Sequence, residues 1–472
     1  MRIALLIPPD EHPLESSVPQ DVEESRGAYP PLGLLYVAAA AEAWAHADVV
    51  LIDCPTLGAS HGDVAGLVER SKASLVGMSA TTFTVVDVLE AARRIKEGLP
   101  EVKIIVGGVH ATLYPMETLA LSPVDFVLAG EGERSFARFV EAFAAGRTEE
   151  FADIPGLGFA TEDGPVFNSP VDVIEDLDAV PPPARHLIDL SAYTNLIGMG
   201  DASTTLQSSR GCPFGCRFCD MRRSKFRARS AEGVVDEIEA LTRQGIDDLF
   251  FVDDTITVDR KRLRRICDLI CERGIKVHFK ISARADTLEP DILAALKRAG
   301  CYRIHIGVES GTPRLLDILD KNVTVSRMRQ AFADARTSGI ETFAYCMIGI
   351  PTETRDEMLA TARYAVSLGP RYAQFSVCTP YPKTELYRSL LADGSIPYDY
   401  WQEFCEKPTS DFRIRFWNRD FSDEGLRAIQ KEAHLIFYRR PAYVLAELLR
   451  VRSLGDLRRK AAAARRLLGR RR

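Results

Sequence analysis

The sequence predicts an α/β protein in three parts: a doubly wound parallel sheet, a partial (β/α)6 TIM-like barrel, and a helical C-terminal region. Three observations carry this. Short apolar runs rich in Val and Ile alternate with helix-compatible stretches over residues 1–146 and again from about residue 203. A proline-rich joint separates the two series. Past residue 439 the pattern changes to Leu, Val and Ala interleaved with Arg and Lys. At 472 residues, with 46% hydrophobic and 27% charged side chains, the chain is long enough for two or three domains of ordinary globular composition.

In the first part (residues 1–150) the strands are "RIALLIPP" (2–9), "DVVLIDC" (48–54), "SLVGMSA" (74–80), "VKIIVGG" (102–108) and "DFVLAG" (125–130). Helical stretches such as "LGLLYVAAAAEAWA" (32–45) and "VVDVLEAARRIKEGL" (85–99) lie between them. Near-continuous apolar strands with intervening helices imply a parallel sheet covered on both faces. Such a sheet binds ligands at the C-terminal ends of its strands. Small residues gather there in "SATT" (79–82), "GGVHAT" (107–112) and "GEGE" (130–133), where they let backbone approach a large ligand.

Residues 151–202 form a joint, with a small irregular or hairpin element over 151–175 followed by "DLDAVPPPARHLIDLSAY". Alternation resumes over 203–385. The strands are "TTLQSSR" (204–210), "DLFFVDD" (248–254), "KVHFKISA" (276–283), "YRIHIGVE" (302–309), "TFAYCMIGI" (342–350) and "YAQFSVCTP" (372–380), with helices such as 231–245, 291–300 and 355–369 between them. Barrels of this kind build their sites from loops after the strands. Residues 386–472 complete the chain as a C-terminal region with a basic tail.

No run of 18 apolar residues is present, and the start reads as a buried strand rather than a signal peptide. The expectation is a reducing cytoplasm, where thiols stay free, bind metal or react. Three of the ten cysteines crowd into "RGCPFGCRFCD" (210–220), in the loop after the first barrel strand. Three thiolates in a Gly/Pro-containing loop can hold three irons of a [4Fe–4S] cluster and leave the fourth iron open. A zinc site would want a fourth protein ligand, and no His lies between residues 187 and 277.

The spacing Cys212-x3-Cys216-x2-Cys219, with an aromatic before the third cysteine, resembles the signature of the radical S-adenosylmethionine (SAM) superfamily. The resemblance covers roughly residues 203–385. It implies that Cys212, Cys216 and Cys219 ligate the cluster and that SAM chelates the open iron. One electron would then cleave SAM to methionine and a 5′-deoxyadenosyl radical, which abstracts hydrogen from an unactivated carbon. It also implies that Phe218 packs near the adenine and that "FVDD" places Asp253 near the methionine amino group. By the same resemblance Arg284 pairs with the SAM carboxylate, and Glu309 of "GVESG" meets the ribose hydroxyls. "IGIPTET" (348–354) resembles the backbone segment beside the adenine.

The first part resembles the cobalamin-binding domain that precedes the barrel in one large radical SAM class, and this implies a flavodoxin-like fold. "YPPLGLLYVAAAAEA", "VGMSATT", "GGVHAT" and "GEGE" carry the likeness. Ser79, Thr81, Gly107, Gly108, His110, Gly130 and Glu131 are its candidate cofactor contacts, with His110 bonding the corrin periphery. The place of the D-x-H-x-x-G motif of other cobalamin domains falls on "DCPTLG" (53–58), where Pro55 stands in the His position. Cobalamin bound here is therefore expected to lack a lower His ligand.

The implied activity is methyl transfer to an unactivated carbon. The alternative is a radical rearrangement, cyclisation or oxidation of a hydrophobic substrate without net methylation. The expected partners are a small-molecule or lipid substrate and an electron donor such as flavodoxin or ferredoxin. Methylthiolation of tRNA is disfavoured, because residues 1–200 hold only Cys54 rather than three cysteines for a second cluster. Residues 439–472 carry twelve Lys or Arg against two acidic residues, on a remainder of formal charge −16. Such a tail reads as a basic amphipathic helix at an anionic membrane surface, or as a helix packed on the barrel with a solvated basic face. Nucleic acid is disfavoured as its partner, since Tyr443 is the tail's one aromatic for base stacking.

Overall fold

The computed structural model describes residues 1–12, 14, 29–193, 198 and 203–450. They form two compact units. Of these residues the first unit comprises 1–12, 14, 30–193 and 398–414, and the second 29, 198, 203–397 and 415–450.

In the first unit five strands are parallel: β1 (Arg2–Ile7), β2 (Asp48–Asp53), β3 (Leu75–Ser79), β4 (Lys103–Gly107) and β5 (Phe126–Leu128). The hairpin β6 (Leu157–Thr161) and β7 (Gly164–Phe167) adds antiparallel to β5, giving the order β2-β1-β3-β4-β5-β6-β7. Successive residues of β1 serve opposite faces. Ile3 and Leu5 pack with Ala38, Phe136 and Phe139, whereas Ala4 and Leu6 pack with Val88, Ala91 and Ile95. This two-sided burial explains why the strand reads as an unbroken apolar run. The chain order reverses between β1 and β3, so the strand ends there flank the sheet's switch point. Residues 398–414 return to this unit. Its fully buried Trp401 meets Phe83 edge-on, and Gln402 Nε2 donates to Glu117 Oε1 at 2.6 Å.

In the second unit six parallel strands form an open barrel: β8 (Ser203–Leu206), β11 (Asp248–Phe251), β12 (His278–Ala283), β13 (Cys301–Glu309), β14 (Glu341–Ile348) and β15 (Tyr372–Val377). Two short strands, β9 (Ser209–Arg210) and β10 (Arg227–Ala228), pair antiparallel and close the neck of the loop between them. The expected fold class is thus the one found. Helix starts are fixed by side-chain caps. Ser230 caps Ala231–Arg243, Asp259 caps Arg260–Glu272, and Thr354 with Glu357 forms a capping box on Arg355–Leu368. After the helix Asp423–Tyr438 the chain turns into Pro441–Leu449. Among the described residues no helix is long and apolar enough to cross a membrane.

Candidate functional site

Loop 211–226 leaves the barrel at the C-terminal end of β8, and its neck is built before its cysteines are reached. Gly211 sits at φ +87°, and a Cβ there would collide with the Lys225 carbonyl oxygen. Its N–H donates to Asp254 Oδ2 at 2.9 Å, and the Cys212 N–H donates to Ser224 Oγ at 2.8 Å. Further along, the Arg217 N–H donates to the Leu319 carbonyl at 2.9 Å, and the Arg217 carbonyl accepts from the Leu386 N–H at 2.8 Å.

The loop holds Cys212 and Cys219 half-buried and Cys216 buried. Cys212 Sγ lies 3.7 Å from Thr255 Oγ1, Cys216 Sγ accepts from Arg284 Nη1 at 3.3 Å, and Cys219 Sγ lies 3.7 Å from Asp220 Oδ1. Burial pushes the Cys219 thiol up to about 12, and the neighbouring Asp220, Cys216 and Cys212 push the same way. Cys216 is raised by burial too, but Lys321 and Arg284 oppose that rise. Crowded thiols that disfavour one another's negative charge suit a positively charged centre, which inverts the local preference. Three sulphurs on one loop are a donor set that suits a cluster of several irons.

Each residue expected around SAM has a defined place. Asp253 is buried, and its Oδ1 accepts from the Ser208 N–H (3.1 Å), from Ser208 Oγ (2.8 Å) and from Ser209 Oγ. Rather than facing outward, its carboxylate ties the end of β11 to the end of β8. Arg284, just beyond β12, donates from Nε and Nη2 to Asp286 at 3.0 and 3.1 Å and from Nη2 to the Lys321 carbonyl at 2.7 Å. Its guanidinium lies 3.9 Å from the centroid of the Phe214 ring. Arg284 thus meets the cysteine loop directly. Glu309, at φ +60° beside the register shift of β13, pairs with Lys321 Nζ at 2.8 Å. Both members of that pair are buried. Phe218 is half-buried in the loop. In 348–354, the buried Glu353 accepts from the Ile350 N–H at 2.9 Å, and burial pushes its carboxyl up to about 8.

Sequence reasoning missed Lys321, Asp254 and Phe214. Lys321 carried no signal in "LDKNV". Asp254 could have been found as the second acid of "FVDD", one residue beyond the one singled out.

In the first unit, Ser79, Thr81 and Val109 are exposed at the ends of β3 and β4. Gly107 and Gly108 lie between them. Gly108 sits at φ +91°, and a Cβ would come within 2.6 Å of both the Ala80 carbonyl oxygen and Ser79 Oγ. Glycine at 108 thus lets the end of β4 pack directly on the end of β3 along this exposed edge. His110 does not line this edge. It is fully buried, its Nδ1 lies 3.2 Å from Thr82 Oγ1, and burial brings its pKa down to about 4. Gly130 and Glu131 serve the following strap. A Cβ on Gly130 would meet Val171 at 2.8 Å, and Glu131 Oε2 accepts from the Ile174 N–H at 3.0 Å. The segment "DCPTLG" is a capped turn, with Asp53 accepting from the Thr56 N–H at 3.1 Å and Gly58 in the left-handed conformation.

Comparison with known proteins agrees with both units. The family model of the radical SAM superfamily matches residues 206–365, and that of the B12 binding domain matches residues 21–140. The chain is 31% identical over 454 residues to an uncharacterized methyltransferase of Pyrococcus horikoshii, covering 95% of each sequence. It is 29% identical over 378 residues to the anaerobic magnesium-protoporphyrin IX monomethyl ester cyclase of Rubrivivax gelatinosus, covering 78% of this chain and 67% of the relative. In fold it is similar to the radical SAM methyltransferase TsrM of Kitasatospora setae, solved with cobalamin and a [4Fe–4S] cluster bound. That match has a TM-score of 0.73 at 17% identity and covers 98% of each chain.

Proposed function

The chain belongs to the radical SAM enzymes that carry a B12-binding domain, and on that basis we propose that it is a C-methyltransferase acting on an unactivated carbon. The observation carrying this reading is end-to-end similarity to a methyltransferase across both units. When bound, a [4Fe–4S] cluster supplies the electron that cleaves SAM, and cobalamin supplies the methyl carrier.

In this reading Cys212, Cys216 and Cys219 hold the cluster. Their support is the stitched loop and the positive charge of Arg284 and Lys321 beside Cys216. Arg284 positions Cys216 and stabilises its thiolate, while Asp253 and Asp254 fix the neck from which the loop hangs. The Glu309–Lys321 pair presents a polar group at the strand end for the SAM ribose. Ser79, Thr81, Gly107 and Gly108 form the cobalamin edge. Pro55 offers no ligand atom and the His110 ring is wholly buried, which supports cobalamin without a lower His ligand.

The substrate is a small molecule or lipid, and a flavodoxin or ferredoxin is the electron donor. We place the enzyme in the cytoplasm with peripheral membrane contact through its C-terminus. In the helix Pro441–Leu449, Tyr443 packs on Phe437 and Tyr438, while Leu445 and Leu449 are 59% and 79% exposed. The basic stretch 451–472 lies outside the described residues.

A second reading, oxidative cyclisation without methyl transfer, is favoured by the cyclase relative. Anaerobic incubation of the reconstituted protein with SAM and candidate substrates separates the two. Methyl transfer yields S-adenosylhomocysteine and 5′-deoxyadenosine together with methylated product. Formation of 5′-deoxyadenosine and product without S-adenosylhomocysteine overturns it in favour of the second reading.

A further inference from the structure

In the first unit, three side chains from three segments converge at the strand ends beside the switch point. His12 follows β1, His61 follows β2, and Asp87 lies in the first turn of the helix Val85–Gly98 that follows β3. Asp87 Oδ1 lies 2.9 Å from His12 Nδ1 and 2.9 Å from His61 Nε2. The three ligand atoms all lie within 4.8 Å of one another, the one such group among the described residues. We propose that His12, His61 and Asp87 form a Zn²⁺ site that fastens the loops after β1 and β2 to the helix after β3.

Asp87 joins the other two side chains. Its carboxylate is 2% exposed, and its ionic partners among the described residues are the two imidazoles alone. No Lys or Arg pairs with it among the described residues, and burying a carboxylate without a fixed counter-charge is costly. A divalent ion supplies it. Two His nitrogens and a carboxylate oxygen are a donor set suited to tetrahedral zinc. Ligands about 2.0–2.1 Å from such an ion stand roughly 3.3 Å apart, so the 2.9 Å contacts need open only by a few tenths of an ångström.

Backbone contacts hold the group in place. The His12 N–H donates to both Asp87 oxygens at 3.1 Å, and the His61 N–H donates to Glu11 Oε1 at 3.1 Å, so backbone fixes both ring positions. His12 is 38% exposed, giving an entry path and a fourth position for water. Binding turns a ring lone pair toward the ion on each His and leaves the ring proton on the far nitrogen. For His12 that nitrogen is on the half-exposed ring. For His61 it is Nδ1, which is buried without a hydrogen-bond partner among the described residues.

The test uses full-length protein with cluster and corrinoid loaded, incubated with Zn²⁺ and freed of loose metal. Iron occupies the cluster cysteines, so elemental analysis should count one zinc per chain. The zinc X-ray absorption edge should show a nitrogen and oxygen shell without sulphur. Asp87→Asn and His12→Gln should each lose that zinc while keeping iron and corrinoid, which monitor folding. Should Asp87→Asn fail to fold, His12→Gln decides alone, because its ring is half-exposed. Absence of stoichiometric zinc in the parent, sulphur in its shell, or zinc retained by His12→Gln would overturn the proposal.

Discussion

Arg284→Gln tests how the barrel holds its cysteine loop. The guanidinium donates to Cys216 Sγ at 3.3 Å, to Asp286 at 3.0 and 3.1 Å and to the Lys321 carbonyl at 2.7 Å, and it covers the Phe214 ring. Hydrogen bonds to charged partners contribute about 1.5–3 kcal/mol each. Breaking a buried ion pair costs about 3–5 kcal/mol, but Asp286 is 30% exposed and water recovers part of that. A net loss of roughly 3 kcal/mol in folding stability follows. The bond to sulphur has a second consequence. A donor on a cluster thiolate stabilises the reduced state, so its removal lowers the reduction potential. If the electron feels about 1.4 kcal/mol of that bond, the fall is about 60 mV. Urea unfolding and an anaerobic redox titration followed by electron paramagnetic resonance read the two effects. Arg284→Lys keeps the charge but not the planar fork and should fall between the parent and Arg284→Gln. Unchanged stability and potential in Arg284→Gln would refute the role given to Arg284.

Replacing Cys212, Cys216 and Cys219 together by Ala should abolish reductive SAM cleavage, and parent-like 5′-deoxyadenosine formation by the folded variant would remove the cluster assignment. Glu353 gives a pH signature with a definite sign. Its carboxyl rises from an ordinary 4.5 to about 8 on burial, so the folded chain keeps a proton that the unfolded chain releases. Stability therefore falls as pH rises from 4.5 to 8. Glu353→Gln should escape this fall and gain up to roughly 4 kcal/mol relative to the parent between pH 5 and 8, as read by urea unfolding. A gap independent of pH contradicts it. Truncation after Tyr438 should lower flotation with anionic liposomes, and equal flotation of the two chains would remove the case for membrane contact.

The strands were legible because burial on both faces leaves a continuous apolar run, as in "RIALLI", and the cysteine loop because its three cysteines lie within eight residues. Side-chain pairings across the barrel were not. The resemblance implies Asp253 as a SAM contact but does not reveal Ser208 and Ser209, 45 and 44 residues earlier, which donate to its carboxylate. Parallel neighbours bring such ends together only through a long crossover, which leaves no local mark. Lys321 and the group His12, His61 and Asp87 escaped for the same reason, as each meets its partners across chain separations that periodicity does not encode. Glycines behaved unevenly. Gly108 is required for close approach to Ala80 and Ser79, whereas Gly130 makes room for Val171. A small residue at a strand end marks crowding without telling ligand from protein.

SAM carrying an isotopic label in its methyl group decides whether methyl reaches carbon. Reconstituted, cobalamin-loaded protein and a low-potential electron donor are incubated anaerobically with the accepted substrate. Labelled methyl should appear on a carbon of the product, with S-adenosylhomocysteine and 5′-deoxyadenosine each formed in step with it. A product free of the label, formed with 5′-deoxyadenosine alone, would contradict it.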